Sequence, residues 1–121
     1  MFCSLAFHHS YCLFYRQELA ESYFILHRLT GDARYREYAW QLVQAIDAHC
    51  RTDCGYVELE DVTTVPPTQG RLQYAEFLGA TLKYLYLIFC DDSVLPLDKW
   101  VFNSVGQPLP ILSKKSFKTN T

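Results

Sequence analysis

The segment from Leu72 to Phe89 constrains this chain more than any other. Tyr74, Phe77, Leu78, Thr81, Leu82, Leu85, Tyr86 and Phe89 recur at helical spacing and line one face. Ala75, Ala80, Tyr84, Leu87 and Ile88 make most of the other face apolar as well, and only Gln73, Glu76 and Lys83 are strongly polar. A helix that is apolar nearly all round has to be covered nearly all round. The rest of the chain predicts two amphipathic helices and a short strand, too little for that cover. The segment therefore points to a piece of something larger, or to a chain that meets itself or a partner through the apolar helix 72–89.

The two amphipathic helices are well marked. The first runs from about Gln17 to Thr30, with Leu19, Ala20, Tyr23, Phe24, Leu26 and His27 at helical spacing. Gly31 stands where a left-handed cap would close it, and Asp32 offers a cap for the next helix. The second runs from about Ala33 to Cys50, with a stripe of Tyr35, Tyr38, Ala39, Leu42, Val43, Ile46 and Cys50. Two or three residues join them, so they should pack as an antiparallel hairpin. Residues 51–55 read as a turn, Tyr56 to Val62 as a short strand, and Thr63 to Gly70 as a loop. After the third helix, Leu95–Asp98 and Trp100–Asn103 suit an extended path, and Pro108 and Pro110 prevent any helix. We divide the chain into residues 1–112 and a polar tail, 113–121.

Composition excludes several classes. Eleven Lys and Arg against thirteen Asp and Glu leave a net charge of −2, so there is no basic face for nucleic acid. Half of the residues are hydrophobic and 16% are aromatic, which excludes wholesale disorder. No stretch reaches about eighteen apolar residues, the length of a membrane span. Residues 1–15 are apolar and aromatic but have no basic start or small-residue cleavage site, a poor signal peptide.

Five cysteines are too few for a disulfide scaffold, and their spacing fits no zinc motif. Cys50 and Cys54 could be a metal pair, a local disulfide or two unlinked thiols. His8–His9 lies in the irregular beginning, and His27 suits a packed or half-exposed helix position. His49 suits the negative end of its helix, with a metal role beside Cys50 and Cys54 as the alternative. Tyr23, Tyr35 and Tyr38 read as core or as a sugar-stacking row. Asp91–Asp92 reads as a solvated turn.

A run of motifs carries a family resemblance. Arg16-Gln17-Glu18-x-x-Glu21-Ser22 is followed by Arg28-x-Thr30-Gly31-Asp32-x-x-Tyr35-Arg36-x-x-x-Trp40 and Arg51-Thr52-x-x-Gly55-Tyr56. Asp61-Val62-Thr63, Thr81-Leu82-Lys83-Tyr84-Leu85-Tyr86-Leu87, Leu95-Pro96-Leu97-Asp98-x-x-Val101-Phe102-Asn103 and Pro108-Leu109-Pro110-Ile111 continue in order. Over about residues 11–111 this resembles the C-terminal part of the class I α-1,2-mannosidases, glycoside hydrolase family 47. The resemblance implies an all-α fold with a short β-hairpin, here the incomplete C-terminal arc of an (α/α)7 barrel. It also implies calcium, inverting hydrolysis of α-1,2-linked mannose from high-mannose N-glycans, and residence in the endoplasmic reticulum or Golgi.

The resemblance also assigns roles residue by residue. An inverting glycosidase needs a general acid and a carboxylate that activates water on the opposite side of the bond. The family's arginine-proline-glutamate motif reads Arg16-Gln17-Glu18 here, which makes Glu18 the candidate catalytic base. Arg16 and Glu21 become substrate-binding candidates, and Arg16 could hold the Glu18 carboxylate ionised. Gln17 loses the proline that presets a helix start. Glu18 and Glu21 also simply suit the positive end of a helix. The family's calcium-binding threonine is matched by Ser104, a hydroxyl and carbonyl of the hard-oxygen kind calcium takes.

Other matches are lost. Val105 replaces a carboxylate and Gln107 a histidine. Tyr74 replaces a polar sugar contact, Glu76 an aromatic, and Ala80 another carboxylate. The family's general acid belongs to a segment outside these 121 residues. Meanwhile, Trp40, Tyr35, Leu82, Tyr84, Leu85 and Tyr86 are retained as packing residues. This pattern predicts a mannosidase-like chain that does not hydrolyse mannosides by itself. The alternatives are a non-catalytic glycan-binding or quality-control relative, and a helical interaction module.

Overall fold

A computed structural model describes residues 17–112; the expectations for Arg16, His8–His9, the first fifteen residues and the tail lie outside them. Helix α1 (Gln17–Thr30) and helix α2 (Arg34–Cys50) form the predicted hairpin. Gly31, at φ 70°, closes α1 by donating its amide to the carbonyl of His27 at 2.8 Å. Asp32 Oδ1 accepts the Arg34 amide at 2.9 Å, the short-range capping its position suggests.

The predicted turn at 51–55 is a small antiparallel ribbon of β1 (Arg51–Thr52) and β2 (Gly55–Tyr56). The expected strand from Tyr56 to Val62 is shorter. Only Leu59–Asp61 (β3) pairs, with Thr68–Gln69 (β4), which the sequence placed in a loop.

The third helix starts three residues later than expected. Leu72 and Gln73 are committed elsewhere: the Leu72 carbonyl accepts the Glu58 amide at 3.2 Å, and Gln73 Oε1 accepts the Tyr56 amide at 2.9 Å. Helical geometry begins at Ala75, passes through a π-helical turn at Phe77–Thr81, and continues as α3 (Leu82–Leu87). The Leu82 amide bonds to the Phe77 carbonyl, the five-residue step that defines a π turn. Two arginines from the first hairpin cap the far end. Arg36 Nε donates to the Ile88 carbonyl at 2.8 Å, and Arg28 reaches the carbonyls of Leu87, Asp91, Asp92 and Val94 at 2.8–3.2 Å. Asp91–Asp92 is therefore an anchor for Arg28 as well as a turn; Asp92 Oδ1 also lies 3.2 Å from Arg28 Nε. The chain ends in an antiparallel hairpin of β5 (Trp100–Phe102) and β6 (Pro108–Pro110), and the prolines sit on its edge strand.

One core joins these parts. Phe24, Phe77, Tyr84, Leu85, Leu87 and Ile88 are buried, and Phe24, Tyr84 and Phe102 form an aromatic triangle with ring centroids 5.4–5.7 Å apart. The cover for α3 comes from α1, α2 and the terminal hairpin, whose contribution the sequence argument did not include. The cover is incomplete. Leu78, Tyr86 and Phe89 stay exposed along one stripe, and Trp40 of α2, half-exposed, meets Phe89 edge-on. Trp40 and Tyr86 are thus surface groups, where the sequence counted them as packing residues. No described helix is long and apolar enough to cross a membrane.

Candidate active site

The residues singled out by the sequence fall on two elements, α1 and the turn between β5 and β6. Glu18 lies in the first turn of α1 and is exposed. There a carboxylate meets unpaired amides and the positive end of the helix dipole. Its backbone carbonyl accepts the Ser22 hydroxyl at 2.6 Å. Glu21, one turn on, is half-buried and faces the hydroxyl of the buried Tyr84. Burial first, and then the Glu21 charge, push the Tyr84 hydroxyl well above the usual tyrosine range. That hydroxyl completes no well-formed hydrogen bond among the described residues.

Ser104 is exposed in the turn from Asn103 to Gln107, and this turn is braced from inside. Asn103 Oδ1 accepts the amides of Val105 at 3.1 Å and Gln107 at 2.9 Å. Asn103 Nδ2 donates to Gln107 Oε1 at 3.0 Å, and the Gly106 amide to the Asn103 carbonyl at 2.9 Å. Gln107 is therefore a structural brace.

The turn docks on the π segment. Gly106, at φ 72°, approaches so closely that a Cβ there would lie 3.0 Å from both Cα and Cβ of Ala80. Lys83 Nζ then donates to the Gly106 carbonyl at 2.7 Å. The two elements thus meet through neighbouring residues of one helix: Tyr84 faces Glu21, and Lys83 holds the Ser104 turn. Sequence reasoning missed the roles of Lys83 and Gly106. The pair Gly79-Ala80 was the available signal, since adjacent small residues in an otherwise bulky helix leave room for another backbone.

Elsewhere the chemistry is sparse. Among the described residues no group of three or more His, Cys, Asp or Glu side chains could hold a metal ion. His49 and Cys54 are exposed while Cys50 is buried. Tyr74 is half-buried just before the helix, its carbonyl taking the Phe77 amide at 3.1 Å. Of the tyrosine row, Tyr23 packs 5.8 Å from Tyr38, and burial raises its pKa. An open apolar groove of about 280 Å³ lies between α2 and α3, lined by Trp40, Val43, Ile46, Tyr56, Leu82 and Leu85.

Residues 7–111 match the family profile of Glycosyl hydrolase family 47. The chain belongs to this family. It is 51% identical over 102 residues to mannosyl-oligosaccharide alpha-1,2-mannosidase IA of Drosophila melanogaster, a match covering 84% of this chain and 15% of that protein. It is 46% identical over 97 residues to the human mannosyl-oligosaccharide 1,2-alpha-mannosidase IB, covering 80% of this chain and 15% of that one. Among solved structures, the alpha-1,2-mannosidase from Trichoderma reesei superposes with a TM-score of 0.75 at 31% identity, covering 80% of this chain and 21% of that chain. This family 47 chain therefore spans about 15% of the length of the curated relatives it matches.

Proposed function

We propose that this family 47 chain forms the C-terminal arc of an α-1,2-mannosidase-type barrel acting on high-mannose N-glycans. The proposed setting is the endoplasmic reticulum or Golgi. In this reading Glu18 is the candidate base, and Ser104 occupies the family's calcium-ligand position without the carboxylate the family has beside it. Glu21 and Arg16 orient the sugar or the base. The observation that carries the reading is the seating of the Ser104 turn on α3, where Lys83 Nζ holds the Gly106 carbonyl at 2.7 Å, next to Tyr84, whose hydroxyl feels the Glu21 charge. The relatives named above are mannosidases by their own names, which supports the substrate class. The open stripe of Leu78, Tyr86 and Phe89 supports the arc: neighbouring helices of a longer domain would cover it.

By itself the 121-residue chain should not turn over mannosides. An inverting hydrolysis needs two carboxyl groups on opposite faces of the bond. The resemblance supplies a counterpart for the base alone, and Ala80 and Val105 stand where the family has carboxylates. The test is to incubate the purified chain with a high-mannose oligosaccharide and quantify free mannose. No release is expected. Release that Glu18→Gln abolishes would overturn the inactivity. Saturable glycan binding without release would move the reading to the non-catalytic relative.

A further inference from the structure

Calcium is the group that the family resemblance places at Ser104, and the residues around that turn do not suit it. Calcium takes about six to eight oxygens, with carboxylates prominent among them. Here the residue after Ser104 is Val105, half-exposed and apolar. The side-chain oxygens of Asn103 and Gln107 already accept bonds inside the turn: Oδ1 of Asn103 from two amides, Oε1 of Gln107 from the Asn103 amide group. The charge that reaches the turn is positive. Lys83 Nζ sits 2.7 Å from the carbonyl of Gly106, two residues past Ser104, in a partly buried position where screening is weak. An ammonium there does part of what a structural cation would do, gathering a carbonyl of the loop onto the helix. Gly106 seated against Ala80 fixes the distance over which Lys83 has to reach.

We infer that Lys83 is the built-in cation of the Ser104 turn, and that the order of this turn does not depend on calcium. This concerns the turn alone and stands whether or not a longer form cleaves mannosides. The test is thermal unfolding of the purified 121-residue chain in EGTA and in millimolar CaCl2, with amide hydrogen exchange read at Val105, Gly106 and Gln107. The wild type should melt at the same temperature in both. A calcium site filled to a hundredfold excess over its dissociation constant would instead raise the melting temperature by roughly 10 °C or more. Lys83→Met should speed exchange in the turn by roughly tenfold to a hundredfold, the worth of a charged hydrogen bond, without rescue by calcium. Lys83→Arg should restore most of the protection. A saturable rise of the wild-type melting temperature with calcium would overturn the inference. So would a Lys83→Met variant whose turn exchanges as slowly as the wild type. If Lys83→Met does not fold, Lys83→Gln replaces it, and the wild-type comparison needs no variant.

Discussion

Gly106 and Gly31 make a matched pair for measuring how firmly the terminal hairpin is seated. Both have left-handed backbones, at φ 72° and 70°. Placing alanine in that region costs about 1–2 kcal/mol at either site. The surroundings differ. A Cβ on Gly31 would have nothing within 4 Å, whereas one on Gly106 would meet Ala80 Cα and Cβ at 3.0 Å and the Gly79 carbonyl at 3.1 Å. Two of those three atoms are backbone, so no side-chain rotation relieves the contact, and overpacking of this kind costs about 1–3 kcal/mol. Gly106→Ala should therefore lose about 2–5 kcal/mol and Gly31→Ala only about 1–2. At roughly 4–8 °C per kcal/mol for a domain of this size, the two melting temperatures should differ by about 5–20 °C. Thermal unfolding followed by circular dichroism, repeated in urea, reads the difference. Equal losses in the two variants would mean that the hairpin is not pressed onto the π segment.

Two further outcomes test the other joints. Arg28→Lys keeps the charge but loses the fork that serves four carbonyls, so urea unfolding should show a loss of about 1–3 kcal/mol; no loss would mean that those carbonyls find water. Tyr84→Phe should change stability by less than about 1 kcal/mol at neutral pH, because the hydroxyl completes no well-formed bond among the described residues. Above pH 10.0, the ordinary tyrosine value, the unfolded chain loses its Tyr84 proton before the folded one, so wild-type stability should fall as pH rises; Tyr84→Phe should flatten that part of the curve, and an unchanged slope would count against the raised pKa.

Local features were the legible ones. Gly31, Asp32 and the stripe from Tyr35 to Cys50 act within a few residues, and periodicity and capping chemistry report such effects directly. The start of the third helix was misplaced because Leu72 and Gln73 are held by Glu58 and Tyr56, partners that propensity does not see. Arg28 and Arg36 cap a helix more than fifty residues away, and nothing local to either marks that role. Tyr86 shows a different limit: an apolar pattern marks a side that wants cover, not whether this chain supplies it, and Trp40, counted as packing through the resemblance, is likewise left open. Glu18 and Ser104 came from the family resemblance, and the structure adds what periodicity could not, the Lys83 and Tyr84 junction between their elements.

Docking of the terminal hairpin against α1 and α3 brings the Ser104 turn and Glu21 to one helix. The direct measurement is the set of ring-to-ring nuclear Overhauser contacts of Phe102 in the 121-residue chain. Contacts from Phe102 to both Phe24 and Tyr84 are predicted, from centroid distances of 5.7 and 5.4 Å. A well-dispersed spectrum in which Phe102 touches neither ring would mean that the hairpin is not docked.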